Sequence, residues 1–204
     1  MIYYIADMHF GHTNVLRFDN RPFSDTAQMD DTLIQNWNER VATDDTVYVL
    51  GDAFWKNEEN SIRIIQQLNG HKHLIQGNHD RVKGKLRPYW ESIEQYAEVN
   101  DENRLVILSH YPILFYKNQH YGAVMLYGHV HNTYDEYLID EFQRQTRAST
   151  RPVLGKAGTE ETVSIPCQMI NCFCMFSDYV PLTLDEWIEV DRKRRASMKR
   201  ESDC

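Results

Sequence analysis

The sequence predicts an α/β fold on three observations. Short apolar runs rich in β-branched and aromatic residues alternate with stretches of helical periodicity. The order strand, helix, strand calls for crossover connections, hence a largely parallel sheet with right-handed crossovers. Finally, each of five apolar runs passes directly into a polar cluster. In an open α/β sheet the C-terminal strand ends share one edge, where ligands bind, so five clusters distant in sequence are expected to meet.

The first run, Ile2 to Ile5, leads into Asp7-x-His9-Phe-Gly-His12. Strand alternation would point Asp7 and His9 the same way. Taken alone, this pair also reads as a capping aspartate and a surface histidine. A short helical stretch, Asn14 to Phe18, precedes a turn at Arg21-Pro22. Asp25-x-x-Gln28 resembles a capping box, and Met29, Leu33, Ile34, Trp37 and Val41 then share one helical face. Thr46 to Leu50 is the second strand, followed by Gly51-Asp52. Ile62, Ile65 and Leu68 mark a helix closed by Gly70. Lys72 to Gln76 is the third strand, followed by Gly77-Asn78-His79-Asp80. A short helix and an edge strand are expected over 88–100. Arg104 to Ser109 precedes His110, and Ala123 to Tyr127 precedes Gly128-His129-Val130-His131.

Beyond this, periodicity weakens. Residues 143–162 are polar and hold Gly155 and Gly158, so they read as an insertion or mobile loop. Its position after the last cluster would let it overhang the site as a lid. Ile165 to Phe176 closes a sheet, and Thr183-x-x-Glu186 opens a last helix with a basic end from Arg192 to Arg200, read as a solvated helix end.

At 204 residues the chain reads as one domain, residues 1–204. Hydrophobic content of 42% and charged content of 25% are ordinary for a globular protein. Lys+Arg 22 against Asp+Glu 30 gives a net charge of −8, which argues against a duplex-binding surface but not against a small phosphorylated substrate met by bound cations. No apolar run is long enough for a membrane helix, and the chemistry starts at residue 7, which points to the cytoplasm. Cys167, Cys172, Cys174 and Cys204 lack a second pair at zinc-finger spacing and read as free thiols, with Cys172 and Cys174 on one strand face.

The five clusters supply three carboxylates, one amide and five imidazoles, more than one divalent ion needs. Mixed oxygen and nitrogen donors suit Mn²⁺, Fe or Zn²⁺ better than Mg²⁺ or Ca²⁺. In this order (D-x-H, G-D, G-N-H-D, H, G-H-x-H, over residues 7 to 131) the chain resembles the calcineurin-like metallophosphoesterase superfamily. The D-x-H-F-G-H opening is similar to that of its small bacterial and phage members, and Met175 to Trp187, with its Pro181-x-Thr-Leu-Asp-Glu186 run, is similar to the stretch that closes small bacterial members.

The resemblance implies a fold of two mixed β-sheets sandwiched together and flanked by helices. It implies two divalent metal ions, manganese favoured, with iron, zinc or nickel as alternatives. Asp7, His9 and His131 would hold the first; Asn78, His110 and His129 the second; Asp52 would bridge them. A metal-bound hydroxide would attack phosphorus in line, and His79 would serve the departing oxygen. Asp80 would act with it or orient its loop. His12, Arg17 and Arg21 are candidate phosphate contacts. His71, His73 and His120 match no block and read as structural or surface residues. Phosphoprotein phosphatases of this superfamily carry G-D-x-x-D-R-G; here the run is Gly51-Asp-Ala-Phe-Trp55. The expected substrate is therefore a phosphorylated small molecule or nucleotide, most simply a phosphodiester. A phosphomonoesterase, a nuclease and a non-catalytic metal-binding scaffold are the alternatives.

Overall fold

The structure, a computed structural model, describes residues 1–55, 57–154 and 159–202. Its first sheet is wholly parallel, in the order β1 (Ile2–Ile5), β2 (Thr46–Val49), β3 (His71–Ile75), β4 (Ser92–Glu94). The second runs β10 (Gln168–Asn171), β7 (Val124–Tyr127), β6 (Arg104–Ser109), β5 (Tyr96–Asp101), with only the β5–β6 pair antiparallel. This is the sandwich that the resemblance implied, except that only the second of its two sheets is mixed. It refines the simpler reading of one largely parallel sheet. Polar clusters follow β1, β2 and β3 in one sheet but β6 and β7 in the other.

Alternation along the strands builds the layers. Tyr4, Ala6 and Leu50 pack between the sheets with Leu108, Leu126 and Trp187. Their neighbours Ile5, Val47 and Val49 pack on the opposite face with Met29, Leu33 and Trp37 of α2 (Thr26–Arg40) and Ile64 of α3 (Glu58–Ile65). On the second sheet Ile107 and Met125 pack with Ile139 of α4 (Tyr134–Ala148). Each such fully buried side chain contributes about 1.5–3 kcal/mol. α2 starts as its sequence predicts: Asp25 accepts from the Gln28 amide, and Gln28 Oε1 accepts from the Ser24 amide. A short helix α1 (Val15–Phe18) lies between β1 and α2, and α5 (Leu184–Ser202) ends the chain. The indole of Trp187 in α5 donates to the Tyr4 carbonyl at 2.8 Å, tying α5 to β1.

The stretch 143–162 is not an irregular loop where it is described. α4 runs through to Ala148, and β8 (Thr150–Leu154) pairs antiparallel with β9 (Glu160–Ser164). Gly155 and Gly158 lie outside the described residues. Hydrophobic periodicity misses α4 because two of its three buried residues are polar and paired. Glu136 accepts from Tyr127 Oη at 2.7 Å and Asn171 Nδ2 at 3.0 Å. Gln143 bonds both the amide and the carbonyl of Met169.

The basic end of α5 also differs from a solvated helix end. Arg194 pairs with Glu136 and Asp191, and Arg195 with Asp140 and Asp191, all four carboxylate contacts being largely buried. Cys167, Cys172 and Cys174 are buried free thiols, while Cys204 lies outside the described residues. Cys172 and Cys174 do not share a face: β10 ends at Asn171, and the two join different core layers.

Candidate metal centre

The polar clusters of both sheets meet at one edge, but not by strand alternation. β1 ends at Ile5, and Asp7 and His9 both take left-handed backbones, φ 55°. Asp52, His129 and His131 do the same, at 51°, 72° and 47°. Such conformations cost about 1–3 kcal/mol each in a non-glycine residue and persist only where the surroundings enforce them.

Several buried contacts enforce them here. Asp80 turns its carboxylate onto backbone, accepting from the amides of Asp52 (2.8 Å), Ala53 (2.9 Å) and Gly77 (2.8 Å). It therefore orients the Asp52 and Asn78 loops rather than acting on substrate. Arg21 is buried, and its guanidinium donates to the Asp7 and Met8 carbonyls at 2.8 Å each and to Asp19. This corrects its expected role as a phosphate contact: its donors hold the Asp7–His9 loop from beneath. Cys174 Sγ also donates to the Asp7 carbonyl, at 3.3 Å.

Two glycines let the sheets interlock. A Cβ at Gly51 would stand 2.2 Å from His110 Nδ1, and one at Gly128 would stand 2.6 Å from Asp7 Oδ2. Each glycine of the first sheet's G-D and the second sheet's G-H thus clears space for a functional side chain of the other sheet.

The donor atoms cluster tightly. Those of Asp7, His9 and His131 lie within 4.8 Å of one another, as do those of Asp7, Asp52 and His110. Asp52 Oδ2 is central, 3.8 Å from His9 Nε2, 3.7 Å from His110 Nε2 and 4.0 Å from His79 Nε2. Asn78 Oδ1 lies 3.0 Å from both His110 Nε2 and His129 Nδ1.

These groups fit a cation. Burial pushes the pKa values of His9, His110 and His129 down, so their rings are held neutral with lone pairs to offer. His9 Nε2 and His131 Nε2 face each other at 3.2 Å. Burial raises Asp7 to about 7, the Asp52 charge adding to the rise while His131, the His129 amide and Arg21 oppose it; burial also raises Asp52, against the His79 amide and the imidazoles of His79, His131 and His129. Burial would also lower His131, but its hydrogen bond to Asp19 and the Asp7 charge outweigh that and raise it.

The distal nitrogens are held in turn. His110 Nδ1 lies 2.8 Å from the Leu50 carbonyl, and His131 Nδ1 2.8 Å from Asp19 Oδ1, the outer partners that orient metal-binding imidazoles. Asn171 Nδ2 donates to the His131 carbonyl at 2.8 Å. Sequence reasoning missed Asp19 and Asn171. Neither belongs to a motif, and they act across 112 and 40 residues.

Of the remaining candidates, His79 is partly exposed; its amide donates to Asp52 Oδ1 at 2.8 Å and its ring centroid lies 4.9 Å from that of Trp55. His12 is buried and stacks on Trp55, ring centroids 3.6 Å apart and 6° from parallel. Arg17 is exposed on α1, over the Phe18 ring. His71 pairs with Glu91, His73 stacks on Tyr48, and His120 is exposed.

A family model described as calcineurin-like phosphoesterase matches residues 1–163. The chain is 38% identical over 139 residues to an uncharacterized protein of Methanocaldococcus jannaschii, an alignment covering 67% of this chain and 73% of that protein. It is 27% identical over 161 residues to the gene 66 protein of Mycobacterium phage L5, covering 64% of this chain and 77% of that protein. A crystal structure from Aquifex aeolicus, of a protein of unknown function, has the same fold. Its TM-score is 0.67 at 23% identity, with 93% of this chain and 98% of that one covered.

Proposed function

The chain belongs to the calcineurin-like phosphoesterase family, and from that premise we propose that it hydrolyses a phosphodiester with two divalent ions. The observation that carries this reading is the central position of Asp52 Oδ2, between His9 on one side and His110 on the other. Asp7, His9 and His131 would hold one ion, Asn78, His110 and His129 the other, and Asp52 both. When bound, the ions neutralise charge on the phosphoryl oxygens and lower the pKa of a nearby water. Manganese suits the mixed donor set, as would iron, zinc or nickel.

The chain's own residues do the rest. Asn78 contributes a neutral oxygen where a further carboxylate would over-neutralise the cations. His79 is the candidate to protonate, or hydrogen-bond, the departing oxygen. Its loop is fixed by the Asp52 contact to its amide, and its ring lies against Trp55. Trp55 stands where phosphoprotein phosphatases carry the acidic partner of this histidine, which favours a diester over a phosphoprotein. The inward pairing of Arg194 and Arg195 weighs against a nuclease, since those guanidiniums are engaged within the fold.

The test is turnover by metal-stripped protein after adding Mn²⁺, Ni²⁺, Zn²⁺ or Mg²⁺ separately. Bis(p-nitrophenyl) phosphate should be cleaved with Mn²⁺ and p-nitrophenyl phosphate much less. Asp52→Asn should lower kcat/KM on the order of a thousandfold, since metal-ion catalysis supplies several kcal/mol. Preference for the monoester would replace the diesterase reading with a phosphatase, and no turnover with any metal would remove the enzyme reading.

A further inference from the structure

Exposed apolar surface is concentrated beside this centre. Of the twelve large hydrophobic side chains exposed among the described residues, four come from the β6–β7 connection, Tyr111 and Phe115 among them. Three more come from the first turns of α4, including Leu138. Between these two segments lies a groove of about 420 Å³, within the range of small-molecule sites. Tyr111 and Leu114 line it from the connection, Leu138 and Phe142 from α4.

The groove is continuous with the candidate metal centre. His129 belongs to its lining. The Tyr111 ring lies 4.4 Å from that of His129 and 5.1 Å from that of His110, yet Tyr111 is 49% exposed. An aromatic face left open beside a phosphate-processing centre suits a planar ring, because stacking tolerates any ring with a π-face. Asp135 is the one carboxylate in the described lining. It would repel a second phosphate, which disfavours a polynucleotide, and it can accept a hydrogen bond from a ring N–H.

The geometry points to a substrate class: a small phosphodiester whose second ester group carries an uncharged aromatic ring with N–H donors, of the nucleobase kind, seated in this groove. This rests on the phosphodiesterase reading above.

Two esters with the same leaving group separate the two ideas: p-nitrophenyl thymidine 5′-phosphate and methyl p-nitrophenyl phosphate, each with Mn²⁺. The nucleoside ester should have at least about tenfold the kcat/KM of the methyl ester, in keeping with stacking of one base. Leu138→Asp, at a side chain already 47% exposed, should bring that ratio towards one, and Phe142→Ala should move it the same way. A readout independent of turnover is saturation-transfer NMR of thymidine 5′-monophosphate on metal-free protein. The thymine protons should show saturation that Leu138→Asp removes. If both esters are cleaved with equal kcat/KM, or the ratio ignores Leu138→Asp, the groove assignment falls and the phosphodiesterase reading stands. If neither ester is cleaved with any metal, both fall.

Discussion

The two sheets bring unequal halves to the centre. The first supplies Asp7, His9, Asp52 and Asn78, and buried charge clamps its loops: Asp80 on three amides, Arg21 on two carbonyls. The second supplies His110, His129 and His131, the first and last of them held at their distal nitrogens by the Leu50 carbonyl and Asp19, next to an open aromatic groove. One half has the build of a fixed floor for cations, the other that of a wall whose outer surface can vary with the substrate. The difference lies in what does the holding: buried charged side chains grip the backbone of the first half's loops, whereas in the second half Asn171 grips the His131 carbonyl and the rings of His110 and His131 are held at their far nitrogens.

The largest expected effect breaks the floor. Asp80→Ala would leave the amides of Asp52, Ala53 and Gly77 without their acceptor. At about 1 kcal/mol or more each, the loss is about 3 kcal/mol, or a fall of about 6–12 °C in Tm for a chain of this size. Asp80→Asn, which keeps one carbonyl oxygen, should fall between. Thermal melts followed by circular dichroism measure this. Unchanged melting in Asp80→Ala would mean that the first half is no more tightly built than the second.

The candidate ligands were legible in the sequence, but what supports them was not. Asp7, His9, Asp52, Asn78, His110, His129 and His131 each follow an apolar run within a few residues, so the strand pattern carries them to one edge. Arg21 and Asp19 follow no strand; their partners are set by a fold that brings residue 19 to residue 131. The side-chain type of Arg21 suggested phosphate, whereas its burial decides for carbonyls. The pattern also under-read α4, because apolar periodicity cannot detect a helix whose buried face is partly Glu136 and Gln143. Nor could it divide the strands between two sheets, since alternating strand and helix looks the same whether crossovers feed one sheet or two.

A smaller effect probes the second half. Asp19 Oδ1 holds His131 Nδ1, and its other oxygen takes two donors from Arg21. It links the clamp of the first half to an imidazole of the second. Asp19→Asn should weaken Mn²⁺ binding about 10- to 100-fold, the usual loss for such an outer partner, as read by calorimetric titration. An unchanged Kd would leave His131 oriented by Asn171 and packing alone, and the two halves independent.

The smallest effect asks whether charge itself, or only hydrogen bonding, secures the first half. Asp30 of α2 is buried and accepts from the Gly11 amide at 3.0 Å, in the loop that carries Asp7 and His9. Burial raises it to about 6, Asp31 adding to the rise, while the Gly11 contact, Arg63 and Arg21 oppose it. An unfolded aspartate titrates near 3.9. The native state therefore binds the proton more tightly than the unfolded chain, and stability falls as pH rises from about 4 through about 6, then levels. Asp30→Asn keeps an acceptor for Gly11 and removes the charge. Its Tm should exceed that of the parent at pH 7.5, with the gap closing towards pH 4. A lower Tm for Asp30→Asn at pH 7.5 would mean that the ionised carboxylate is needed under the loop, and that charge rather than hydrogen bonding secures the first sheet's half of the centre.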